Sequence, residues 1–160
     1  MKLLILFFTV SFNPFISVGT LLPLGSASEI MKSGGYIETG LVYKKGSFYI
    51  SGNIDALNFS FLGSGKTSLN MLGITPRMGV YGEKIGLKWF SIHIGLPLYR
   101  ANLQNQSIRT TSIIVGFSVG GRTSFSIKGL FRTGWHMEYV NFPGKVHNWE
   151  YVKLGLNFSL

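Results

Sequence analysis

Apolar and polar residues alternate with a period of two through most of the chain. The pattern is clearest in "KWFSIHIGLPLYR" (88–100). Phe90, Ile92, Ile94, Leu96 and Leu98 fall on one face there, and Trp89, Ser91, His93, Gly95 and Pro97 on the other. Successive side chains of an extended backbone point to opposite sides, so this spacing predicts a strand with two chemically different faces. "RTTSIIVGFSVG" (109–120) repeats it, with Ile113, Val115, Phe117 and Val119 opposite Ser112, Gly116 and Ser118. In 123–141, Phe125, Ile127, Phe131, Trp135, Met137 and Tyr139 oppose Ser124, Ser126, Lys128, Arg132, His136 and Glu138. The last run, "WEYVKLGLNFSL" (149–160), sets Val152, Leu154, Leu156, Phe158 and Leu160 against Tyr151, Lys153, Gly155, Asn157 and Ser159. No helical period competes.

Turn-forming clusters separate the runs: "KKGS", "GSGK", "GEK", "ANLQNQS", "GGR" and "PGK". Hairpins about them predict strands near 35–44, 47–55, 57–63, 66–81, 87–99, 108–119, 122–141 and 147–160. That is eight antiparallel strands in consecutive hairpins. Within 66–81 the apolar phase slips between Met71 and Ile74, and Pro76 points to a bulge or edge-like irregularity.

Lys2 precedes a short apolar stretch, "LLILFFTVSF" (3–12), and small residues follow in "GSAS" (25–28). This reads as an export leader over 1–28, with Ser26 and Ser28 before the cut, followed by a single domain over 29–160. A cut after Gly19, or an uncleaved helical anchor over 3–24 interrupted by Pro14, are the other readings.

Composition narrows the class. Charged residues are 13% of the 160 and hydrophobic ones 46%, yet past residue 30 no run of roughly 18 apolar residues offers a helical membrane span. With no cysteine, thiolate chemistry and disulfide scaffolds are excluded. "FLGSGKTS" (61–68) has the look of a phosphate-binding loop, but Ser60 stands where that motif needs glycine and an extended segment follows where it needs a helix. It reads as a hairpin turn. No nucleotide or nucleic acid is expected as a partner, and no cofactor.

An eight-stranded sheet can close with its apolar face inward, as a soluble lipid-binding periplasmic barrel of lipocalin type, or outward into lipid. Three features favour lipid. The apolar faces carry many large side chains that would overfill so narrow an interior. The opposite faces are rich in Ser, Gly and Asn, whereas a soluble exterior carries more charge. Aromatic residues gather near strand ends, Tyr43, Tyr99, Tyr139 and Trp149 toward one rim and Trp89 and Phe158 toward the other, like the girdles of membrane barrels. Backbone hydrogen bonding in lipid then demands closure. The predicted fold is an all-β, eight-stranded antiparallel up-and-down transmembrane barrel.

The C-terminal "KLGLNFSL" (153–160) resembles the terminal β-signal of outer-membrane barrels, with Lys153, Gly155, Phe158 and Leu160 in its places. The chain as a whole resembles the small OmpA/OmpX-type barrels. That resemblance implies residence in the bacterial outer membrane and insertion by the barrel-assembly machinery. It implies no single function, since such barrels include adhesins, anchors and lipid A-modifying enzymes.

With both termini periplasmic, turns 44–47, 63–66, 100–107 and 142–146 are expected outside. Lys44, Lys45, Lys66, Arg100, Arg109 and Lys145 then form a basic external rim suited to phosphates of lipopolysaccharide. Glu38, Asp55, His93, Lys128, Arg132, His136, Glu138 and Lys153 are expected on the lumen face, as a paired polar network or a narrow conducting path. Ser91 with His93, and His136 with Glu138, supply the ingredients of a lipid A deacylase or acyltransferase, but nothing in the sequence aligns them and no catalytic residue is assigned. His93, His136 and His147 show no metal-ligand spacing. The expected role is structural or surface-interactive.

Overall fold

The computed structural model describes residues 12–63, 67–83, 86–105, 109–127, 131–144 and 148–159. Strand β1 (Phe12–Leu24) is followed by a short helix α1 (Ser26–Ile30), then β2 (Gly34–Lys45), β3 (Phe48–Ser60) and β4 (Ser68–Gly82). Next come β5 (Leu87–Gly95), β6 (Leu98–Gln104), β7 (Arg109–Val115), β8 (Phe117–Thr123), β9 (Phe125–Ile127), β10 (Phe131–Phe142) and β11 (Trp149–Ser159).

These segments make eight antiparallel staves. β5 and β6 are two halves of one stave, both paired to β4; β7, β8 and β9 make another. β1 pairs β2 on one edge and β11 on the other, which closes the sheet. Closure gives every stave backbone partners on both sides over part of its length, as a chain in lipid requires.

The count of eight agrees with the sequence pattern, but the staves differ at two places. The strands expected over 47–55 and 57–63 are one continuous β3, because nothing near Ala56 turns the chain and Ala56 pairs Leu72 in regular register. The missing stave is β1. Residues 12–24, expected to belong to a leader ending at Ser28, lie in the barrel wall instead. Their alternation is short but sound: Phe15, Ser17 and Leu21 point inward and Ile16, Val18 and Leu22 outward. "GSAS" is the start of α1, where Ser28 Oγ donates to Gly25 O at 2.7 Å. Residues 1–11 lie outside the described residues.

Because β3 replaces two expected strands, the 44–47 turn moves to the end opposite the other three turns expected outside. One end of the barrel carries the β1–β2, β3–β4, β6–β7 and β10–β11 connections, which include the three longest. The other carries the β2–β3, β4–β5 and β9–β10 connections together with Phe12 and Ser159. In the Lys44–Ser47 turn Gly46 adopts φ 61°, open to glycine at little cost. Gly63, in the segment with the phosphate-loop look, adopts φ 75°, and β4 follows as a strand rather than a helix.

The expected phase slip in 66–81 is chemical, not geometric. Leu69, Met71, Thr75 and Arg77 all face inward in unbroken register while Leu72, Ile74 and Met78 face out. What changes along β4 is the chemistry of the interior. The register shift lies further on, between Tyr81 and Gly82.

The outward positions form an apolar belt, with Ile113 76% exposed, Trp135 66% and Leu96 63%. A soluble barrel with an inward apolar face is therefore ruled out: this exterior suits hydrocarbon.

Candidate functional site

Register decides which polar side chains meet inside. Glu38 on β2 lies directly across from Asp55 on β3, and Glu138 on β10 across from Lys153 on β11. Two adjacent carboxylates repel unless a cation sits between them. Lys153 does so: its Nζ is 3.2 Å from Asp55 Oδ1, 3.3 Å from Glu38 Oε2 and 3.4 Å from Glu138 Oε2.

Arg77, from the opposite wall, completes the layer. Its Nε donates to Glu138 Oε1 at 2.8 Å and its Nη2 to Glu138 Oε2 at 2.5 Å, while Nη1 and Nη2 reach Glu38 Oε1 and Oε2 at 2.5 and 2.7 Å. Tyr99 OH donates to Asp55 Oδ2 at 2.7 Å, and Thr75 Oγ1 donates to the same oxygen. Arg122 Nη2 approaches Glu38 Oε1 at 3.4 Å. Three carboxylates thus face three cations, which is what burial of ions demands.

His93 and His136 sit at the edge of this layer. Their Nε2 atoms lie 3.6 and 3.8 Å from the two oxygens of Glu138, and both are buried without a hydrogen-bond partner. The three residues could offer ligand atoms within 4.8 Å of one another to a metal ion. The sequence spacing hid this, because β5 and β10 are two staves apart and meet across β8. Against a metal, both Glu138 oxygens already serve Arg77, and a divalent cation would add charge beside Arg77 and Lys153. Neither pairing expected from sequence forms a catalytic unit. Ser91 Oγ donates to Arg122 O, and His136 Nδ1 instead faces Ser17 Oγ and Tyr36 OH at 3.4 Å each. Ser17 is fully buried, out of reach of an acyl substrate.

Above the ionic layer, toward the end with the longer connections, the lumen is apolar. Leu57, Phe59, Leu69, Met71, Phe142 and Tyr151 pack there with Ala27 and Met31 of the α1 connection. That connection is tied down by Lys32 N to Ser60 O at 2.8 Å and Leu62 N to Ile30 O at 2.9 Å. The interior is thus stacked, with an apolar plug, a buried ion layer, and a polar vestibule at the end holding the termini.

Of the expected lumen residues, Glu38, Asp55, His93, His136, Glu138 and Lys153 are gathered in this layer. Arg132 is exposed in the vestibule, and Lys128 lies outside the described residues. Arg77 and Arg122 went unseen in the sequence, one hidden by the apparent phase slip and the other by a turn-like "GGR". The basic rim is divided. Lys44 and Lys45 end β2 beside Phe12 and Ser159, while Arg100 and Arg109 lie on β6 and β7 toward the opposite end. Lys66 and Lys145 lie outside the described residues. The reason is that one stave, β3, stands where two strands were expected, which puts the 44–47 turn at the end opposite the later connections. Lys44 Nζ instead pairs Glu83 Oε1 at 2.5 Å, and this bond holds the Glu83 carboxyl below its ordinary pKa. The girdle changes too: Tyr99 is inside the lumen, and Tyr43 sits with Phe12 at the terminus-bearing end, ring centroids 6.0 Å apart.

No protein-family model matches the sequence, and no curated protein is significantly similar to it. Solved structures do match in shape. Neisserial surface protein A (NspA) superposes with a TM-score of 0.68 at 11% identity, over 93% of this chain and 96% of that one. The fold is that of the small outer-membrane β-barrels. Ail of Yersinia pestis matches with a TM-score of 0.57 at 11% identity, over 92% of this chain and 98% of its own. OprG of Pseudomonas aeruginosa matches at 0.54 and 9%, over 94% and 97%. Each covers more of this chain than residues 29–160 alone supply, so small outer-membrane barrels align with the stave formed by residues 12–24 as well.

Proposed function

We propose that this protein is a non-conducting outer-membrane barrel with a structural or surface-interaction role, its longer connections outside and its termini in the periplasm. One observation carries the reading: the lumen is crossed by a layer of three carboxylates and three cations beneath an apolar plug, which leaves little room for a water path or an open reaction site. What remains available to other molecules is the outer surface. The longer connections of such barrels are the external ones, which sets the orientation. The β-signal residues fit assembly by the bacterial barrel-assembly machinery, and Lys153 and Gly155 of that signal also have folded roles. Lys153 is the hub of the ion layer, and a side chain at position 155 would strike Tyr36 OH.

Lipopolysaccharide is the partner this reading favours. Arg100 and Arg109 are exposed on the outer wall toward the loop-bearing end, where an anionic headgroup region lies. Ail has been crystallised in complex with the heparin analogue sucrose octasulfate, a polyanion. Replacing Arg100 and Arg109 together by glutamine reduces the lipopolysaccharide retained through purification, while replacing Lys44 and Lys45 leaves it unchanged. Equal retention in all three proteins defeats the lipopolysaccharide reading. Single-channel recording on planar bilayers tests the sealed lumen, where a steady open conductance would contradict it.

A further inference from the structure

The vestibule at the terminus-bearing end has a chemistry of its own. It is a cavity of about 350 Å³ into which Lys44, Arg122 and Arg132 all project, with Ser124, Ser126 and Asn157 adding hydrogen-bonding groups. Among the described residues, no carboxylate lines it. Of the nearest described acids, Glu38 lies fully buried in the ion layer and Glu83 pairs the lining residue Lys44.

Arg122 is the telling residue. A guanidinium carries five N–H donors and needs acceptors for them when buried. Among the described residues, its side chain makes a single hydrogen bond, to Glu38 at 3.4 Å, and its Nε is buried with no partner. The guanidinium carbon lies 4.2 Å from the centre of the Phe15 ring, which holds the fork in place at the foot of the cavity. The Arg132 side chain makes no hydrogen bond among the described residues. Arg122 and Arg132 thus converge on a cavity whose described lining holds no acid, and Lys44 joins them while paired to Glu83.

We propose that this vestibule binds a phosphoryl group, with Arg122 at its base and Arg132 and Lys44 at its mouth. Tetrahedral oxyanions match a fixed guanidinium fork, and several converging donors suit a group with three or four oxygens. The same chemistry is presented by free phosphate and by the headgroup of an anionic phospholipid. The site stands whichever way the barrel is oriented.

The test is a titration of the full-length refolded barrel in octyl glucoside, followed by backbone amide shifts of Ser124, Ser126 and Asn157. One arm adds inorganic phosphate, the other short-chain phosphatidylglycerol. Saturable shifts from phosphate identify a soluble ligand source; saturable shifts from the lipid alone identify a headgroup. In either case Arg132→Gln weakens binding by about tenfold, the loss of one charge-assisted contact, while Lys32→Gln at the opposite end changes nothing. Gel mobility before and after heating confirms that each variant is folded, and Lys44→Gln carries the same comparison should Arg132→Gln not fold. Absence of saturation in both arms overturns the proposal. So does an affinity that falls equally in Lys32→Gln.

Discussion

Arg77 and Glu138 meet in a two-bond fork at the centre of the lumen, Nε to Oε1 at 2.8 Å and Nη2 to Oε2 at 2.5 Å. Arg77 also spans to Glu38, so one guanidinium neutralises two carboxylates from opposite walls. Removing one partner of a buried ion pair leaves the other charged and dry, at a cost of about 3–5 kcal/mol. Arg77→Met therefore unfolds at markedly lower urea concentration in lipid vesicles. Adding Glu138→Gln to it recovers part of the loss, whereas Arg77→Lys does not restore stability, because an ammonium cannot bridge both carboxylates as the planar fork does. Additive losses in the double variant would show that the two side chains act independently.

Lipid contact on the outer wall gives a second test. Ile94 is next to His93 of the ion layer in sequence and faces outward between Met78 and Val119, about midway along the barrel. A lysine at such a depth costs about 2–4 kcal/mol, falling to about 0–1 near the interfaces. Ile94→Lys accordingly lowers folding free energy in vesicles by far more than Leu62→Lys, in the connection between β3 and β4. Equal effects would place the hydrocarbon boundary elsewhere.

The alternation from Phe90 to Leu98 and from Val152 to Phe158 was enough to read the architecture, because in a membrane barrel each outward position meets lipid and period two survives intact. The interior obeys no such uniform rule. Leu69 and Met71 face the apolar plug while Thr75 and Arg77 face the ion layer, so one geometric face changes chemistry halfway along β4. That change looked like a slip and hid Arg77. Residues 12–24 are hard to read for a related reason. An outward apolar face, with Leu21 and Phe15 inside as well, makes a strand as hydrophobic as a leader segment. The lumen carboxylates were legible individually, but their mutual placement depends on closure, which brings β5 and β10 together and which no local pattern records.

Gly79 tests how tightly the interior is filled. A Cβ at this position would strike the Tyr49 ring and the Ile92 carbonyl oxygen, whereas one on Gly52, which faces outward, meets nothing within 4 Å. Forcing added bulk into a packed interior costs about 1–3 kcal/mol. Gly79→Val lowers the urea midpoint and the yield of the fast-migrating folded band. Gly52→Val, adding a β-branched side chain to an open strand position, leaves both unchanged or improved.

The place of β1 yields the sharpest prediction about the chain. Its ten residue pairs with β11 and ten with β2 are what close the sheet. A chain starting at residue 29 would leave β2 and β11 with unpaired edges in lipid, where each unsatisfied backbone group costs several kcal/mol. It would also lose Phe15 beneath Arg122 and Leu21 from the plug. A chain starting at residue 12, preceded only by an initiating methionine, therefore refolds in detergent to a heat-modifiable band. One starting at residue 29 remains at the unfolded position or aggregates through its open edges. Heat-modifiable folding of the shorter chain would mean that closure is achieved by another stave and would overturn the assignment of residues 12–24 to the wall.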